Sequence, residues 1–125
     1  MRYMLLLHHP EELRHAPGSP EFMTGVARFD AFHTALAEEG ITWEGAPLQP
    51  SQATTSVRVR DGEVLVTDGP FAELHEQLGG YYVFDLPDLD AAIEIARRVP
   101  WATEGTVEIR PLVPLDTPEL VSPAE

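Results

Sequence analysis

The dipeptide Asp61-Gly62, set between Val57, Val59, Val64 and Val66, constrains this chain more than any other feature. Asp-Gly between two alternating apolar runs marks a two-residue hairpin of the primed type, because both central residues must accept positive φ and the turn then matches the strands' twist. The register follows: Arg60 opposes Glu63, Val59 opposes Val64, Arg58 opposes Leu65 and Val57 opposes Val66. The four valines share one face, which is expected to pack on the core. Arg58, Arg60, Glu63, Leu65 and Thr67 share the other, where an apolar Leu65 points to partial cover.

Around the hairpin, Tyr3 to His8 is apolar and continuous, long enough for a buried strand and too short for a helix. Ser19-Pro20-Glu21 reads as an N-cap followed by proline in the first helical turn. Phe22, Val26, Phe29, Phe32 or His33, and Leu36 then recur at spacings of three and four up to a glycine cap at Gly40. Ile41 to Leu48 reads as a strand broken at Pro47 and Pro50, and Gly80 to Leu86 as another with Tyr82 and Phe84 on one side. Asp88 caps a second helix whose stripe is Leu89, Ala92, Ile93 and Ala96, ending in Arg97 and Arg98, and Thr106 to Arg110 closes the domain as a strand.

This order predicts an α+β fold, a ferredoxin-like split βαβ with an antiparallel sheet and both helices on one face. The other face then needs cover, which a second copy supplies most simply, so a homodimer with its sheets face to face is expected, with a pocket between sheet and loops. Residues 1–111 form the domain. Residues 112–125, proline-rich and acidic, read as an extended tail.

Eight basic residues, all arginine, stand against 21 acids, giving a net charge of −13 in 125 residues. Such a chain is repelled by phosphate backbones and anionic membranes, so neither nucleic acid nor membrane is an expected partner. It has no lysine for Schiff-base or Walker chemistry and no cysteine for a thiolate nucleophile, disulfide or thiolate metal site. No segment targets or anchors it, and a cytoplasmic address is expected.

Histidine is the side chain that exchanges protons near neutrality, so an acid-base role falls to His8, His9, His33 or His75. His8 and His9 end the first strand on opposite faces, and His8 is taken as the acid-base candidate. Asp68 either braces its turn by accepting from the Phe71 N–H or acts as a base. Arg60 has Glu63 opposite for an ion pair, whereas Arg58 faces Leu65 and could hold a substrate carboxylate or pair with an acid such as Glu108. Trp43 and Tyr82 either line an aromatic-accepting pocket or belong to the core or an interface. No HxxxH or HxH spacing supports a metal site, no glycine pattern cradles a phosphate, and no cofactor is expected.

The segments Val66-Thr67-Asp68-Gly69-Pro70-Phe71 and Glu76-Gln77-Leu78-Gly79-Gly80-Tyr81-Tyr82 resemble the YCII-related family, in its DGPF-motif branch. Gly45 to Pro50, Thr55 to Arg60, Pro87 to Asp90 and Val107 to Pro111 agree, so the resemblance spans roughly 1–111. It implies a ferredoxin-like dimeric α+β barrel. It also implies chemistry on small aromatic compounds in some relatives, among them a dehydrochlorinase, with a His-Asp pair whose histidine has no matching position here. Leu74-His75 departs from the branch's usual Thr-Lys. The functional expectation is a dimer that binds an apolar or aromatic metabolite, anionic if Arg58 holds it, with a cofactor-independent lyase or isomerase activity. The alternatives are a non-catalytic ligand sensor or interaction module and a purely structural dimer.

Overall fold

A computed structural model of the chain describes residues 1–116. Strand β1 spans Arg2–Pro10 and helix α1 Pro20–Glu38, followed by β2 (Glu44–Pro47), β3 (Thr55–Arg60), β4 (Glu63–Asp68), β5 (Glu76–Asp85), α2 (Leu89–Ala96) and β6 (Thr106–Pro111). Short 3-10 turns lie at Glu11–Leu13, Ser51–Ala53 and Pro100–Thr103. Four strands form one antiparallel sheet in the order β2-β5-β1-β6, while β3 and β4 form a separate two-stranded sheet. The larger sheet has the ferredoxin-like order with a hairpin inserted between its second and third strands. No helix among the described residues is long and apolar enough to cross a membrane.

The local rules explain the helices. The Ser19 side chain accepts from the Phe22 N–H before Pro20 opens α1, and Gly40 takes φ 73° just beyond its end. Asp88 accepts from the Ala91 N–H and caps α2. Phe32 and Leu36 of α1 and Ala92, Ile95 and Ala96 of α2 are buried with Tyr3, Leu5, Leu7, Tyr82 and Phe84. The alternation of β1 therefore sends odd-numbered residues to the helices and leaves Met4, Leu6 and His8 half-buried on the other face. Leu78, Tyr81 and Val83 of β5 share that second face, which neither helix covers.

The sequence misplaced several features. The helical stripe of α2 is rotated: Ala92 and Ala96 are buried together with Ile95, while Leu89 and Ile93 are about half exposed. The strand expected from Ile41 to Leu48 is confined to Glu44–Pro47, its first residues instead bringing Ile41 and Trp43 against the core. The hairpin register is as expected, with Asp61 at φ 50° and Gly62 at φ 78°, but its valines are not in the core. Val57, Val59, Val64 and Val66 are 57% to 65% exposed, since the hairpin shares no ladder with the larger sheet and projects from it. The tail expectation falls mostly outside the described residues. Within them, Leu112 N–H still donates to the Arg2 carbonyl.

Candidate functional site

The one buried polar side chain among the described residues is His9, 4% exposed at the end of β1. A bulge places it there. Register shifts between Leu7 and His8, which face Gly80 and Leu78, so Gly79 is the extra residue of β5. The Trp101 ring fills the space above Gly79, where any Cβ would collide with it. Trp101 in turn stacks on His9 with centroids 4.3 Å apart and meets Phe29 of α1 edge-on at 5.6 Å. A glycine inside a strand often marks such a close approach, and Gly79-Gly80 was the available signal.

His9 Nε2 lies 3.0 Å from Glu104 Oε2. Glu104 is also 3.5 Å from Arg28, whose other guanidinium nitrogen donates to the Pro100 carbonyl at 3.0 Å. The His9 hydrogen bond, with Arg28 adding, holds the Glu104 carboxyl below its ordinary 4.5. An ionised carboxylate only accepts, so Nε2 donates to it, and in the neutral ring Nδ1 is left as an acceptor. That Nδ1 is buried and has no partner. Arg14 lies over the Trp101 ring at 6.0 Å and donates to the Leu48 carbonyl at 2.9 Å, with guanidinium N–H groups to spare. Nearby, Glu11 accepts from the Ser51 N–H and hydroxyl, tying the 3-10 turn after β1 to the one after β2. Gln77, opposite His9 in the ladder, donates to the Leu74 carbonyl at 3.2 Å and holds the loop after the hairpin.

The sequence-derived candidates fall in three places. Trp43 and Tyr82 do come together, ring centroids 5.0 Å apart, joined by His33, which stacks on Trp43 at 4.4 Å and bonds the Tyr82 hydroxyl at 2.7 Å. Burial pushes the Tyr82 phenol up to about 12, as befits a neutral hydroxyl packed among Phe32 and Phe84. His8 sits on the uncovered sheet face, bonded to Glu108 of β6. Arg58 lies on the hairpin with Ser56, Val57, Arg60 and Phe71, around an open hollow of about 460 Å³. No hydrogen bond or ion pair among the described residues joins Asp68 to His8 or to His9.

Two contacts expected on the hairpin are absent. Asp68 does not accept from Phe71; the turn is braced instead by the Gly69 N–H donating to the Thr54 carbonyl and by the Ser56 hydroxyl donating to the Gly69 carbonyl, both at 2.7 Å. Arg60 is not paired with Glu63 and donates to the neighbouring Val59 carbonyl, because an exposed cross-strand pair gains too little to hold two flexible side chains. Glu104, Arg28, Arg14 and Trp101 were missed altogether. They are separate in sequence and carry no motif; Trp101 and Glu104 touch His9 itself, and Arg14 and Arg28 join the cluster through those two residues.

The sheet order and the helices on one face place the chain among ferredoxin-like α+β domains. More narrowly, it belongs to the YCII-related domain family, which matches residues 1–116. An uncharacterized protein of Rhizobium meliloti (strain 1021) is 35% identical to it, over 98% of this chain and 100% of the relative. The match covers every element of the fold, the inserted hairpin included.

Proposed function

We propose that this chain binds a small apolar or aromatic carboxylate in the cytoplasm, as a homodimer of the DGPF branch, and moves a proton on it through His9. The reading rests on one observation: His9 Nδ1 is buried and partnerless, on a ring stacked against Trp101, over whose indole Arg14 also lies. A buried acceptor without a donor is costly unless something fills it, and a ligand O–H or acidic C–H would do so. Glu104 fixes the tautomer and stabilises the imidazolium formed when Nδ1 takes a proton. Arg14 would hold the carboxylate. Such a reaction is a proton abstraction of the lyase or isomerase kind and calls for no cofactor. The dimer is supported by the apolar, half-buried residues of the uncovered sheet face, Met4, Leu6, Leu78, Tyr81 and Val83.

A thermal-shift screen of benzoate, hydroxybenzoates and aliphatic carboxylates against the wild type and His9→Phe tests it. Phenylalanine keeps the stack on Trp101 and removes both ring nitrogens. Compounds that raise the wild-type Tm should fail to raise that of the variant, and equal shifts in both would sink the proposal. Solvent deuterium entering a bound compound then separates a catalyst from a sensor, since a sensor binds without exchange.

A further inference from the structure

Among the described residues the hairpin of β3 and β4 shares no ladder with the larger sheet and packs extensively on no other element, and a lone two-stranded ribbon is marginal in water. Its two-residue turn makes Arg60 and Glu63 a hydrogen-bonded pair, and bonded and unbonded pairs alternate from there. Val57 and Val59 therefore turn their backbone N–H and C=O groups away from β4, along the outer edge of β3. The Val59 carbonyl accepts from the Arg60 guanidinium at 3.0 Å, a side chain standing in where a neighbouring strand would donate. Beside it lies the open hollow of about 460 Å³, lined among the described residues by Ser56, Val57, Arg58 and Arg60 of β3 and by Phe71, so it follows that edge.

We propose that the outer edge of β3 takes up an extended acidic segment of another protein as a third strand, one whose side chains alternate between carboxylate and apolar. Successive side chains of β3 point to opposite faces: Arg58 and Arg60 to one, and Val57 and Val59, both more than half exposed, to the other. An added strand lays its own side chains in the same two rows, so its carboxylates meet the arginines while its apolar groups cover the valines. The arginines are available. Arg58 has no hydrogen bond or ion pair among the described residues, and Arg60 bonds only the Val59 carbonyl, although the chain has 21 acids and Glu63 stands opposite on β4. The same row disfavours a second copy, because β3 paired antiparallel with β3 sets arginine against arginine. The net charge of −13 opposes an acidic segment at a distance, but salt screens it beyond roughly 8 Å, whereas the guanidiniums act in contact. Neither the His9 reading nor the dimer is needed for this.

A fluorescein-labelled peptide alternating glutamate and valine, titrated by anisotropy into the full chain at physiological salt, tests the proposal. One control carries lysine in place of glutamate; another groups the same glutamates at one end. The alternating acidic peptide should saturate, and both controls should bind more weakly. Arg58→Gln combined with Arg60→Gln should weaken it by about tenfold or more, the lower end for a hydrogen bond to a charged group. Amide exchange in the wild type reads the backbone without any variant: the Val57 and Val59 amides should exchange readily in the chain alone and slow by about tenfold or more on saturation. Failure of the acidic peptide to saturate, or equal affinity in the double variant, overturns the proposal. Binding that needs the arginines yet leaves the Val57 and Val59 amides unprotected overturns it too, and makes the hollow a side-chain site for small anions. Val57 and Val59 amides already protected in the chain alone, and losing that protection on dilution, overturn it in favour of a second copy.

Discussion

His9 and Glu104, 95 residues apart in the chain, meet at 3.0 Å through one ring nitrogen while the other ring nitrogen is buried with nothing to bond. That asymmetry distinguishes this histidine from His8 and His33, each of which is bonded to a neighbouring side chain in a setting that leaves no buried atom orphaned.

The acid side of the stability curve should depend on Glu104 and Glu11. The His9 bond depresses Glu104; for Glu11, partial desolvation opposes the shift, but the two Ser51 bonds outweigh it and leave the carboxyl lowered. A folded pKa below the unfolded one gives stability that is present above the ordinary 4.5 and is lost as pH falls through the folded value. Urea midpoints measured from about pH 6 to about pH 3 should therefore decline, and Glu104→Gln should decline less steeply than the wild type. Parallel curves would contradict this.

Tyr82 gives the opposite limb. Its phenol is raised from 10.0 to about 12 by burial, so its contribution is intact below 10 and lost as pH rises through about 12. Ultraviolet titration should show one of the three tyrosines ionising late, or only with unfolding, and Tyr82→Phe should remove that step.

Gly79→Ala should be among the more damaging single changes. The added methyl collides with the Trp101 ring, which is held between His9 and Phe29, so overpacking should cost about 1–3 kcal/mol and alter Trp101 fluorescence. Unchanged stability and fluorescence would mean that Trp101 packs on the bulge loosely enough to admit a methyl group.

Asp68→Asn should be nearly silent. Its side chain is exposed and the turn is braced by Gly69 and Ser56, so thermal unfolding should stay within about 0.5 kcal/mol of wild type. A larger loss would restore the carboxylate to a bracing role.

Periodicity and turn chemistry made most of the architecture readable. Ser19-Pro20, Asp88 and Asp61-Gly62 are local signals whose geometry depends on one or two residues, and each is found where the sequence put it. What failed were inferences about which face is covered. A row of valines shows that a face is apolar, not that the same chain buries it, and α2 buries Ile95 with Ala92 and Ala96 while leaving Leu89 and Ile93 about half exposed. Of the site, the meeting of Trp43 with Tyr82 was foreseen as one option, and the opposite facing of His8 and His9 was read correctly. The cluster around His9 was not, since it depends on a one-residue bulge and on pairings across 76 and 95 positions that no local pattern encodes.

The most direct measurement is the nitrogen-15 spectrum of the His9 ring at neutral pH, recorded while a benzoate-class binder from the thermal-shift screen is added. In the free protein Nε2 should carry the proton and Nδ1 should resonate as a bare acceptor; on saturation the Nδ1 signal should move upfield as it gains a donor, and Glu104→Gln should weaken the tautomer preference. A binder that saturates the protein while leaving both His9 nitrogens unmoved would contradict the account.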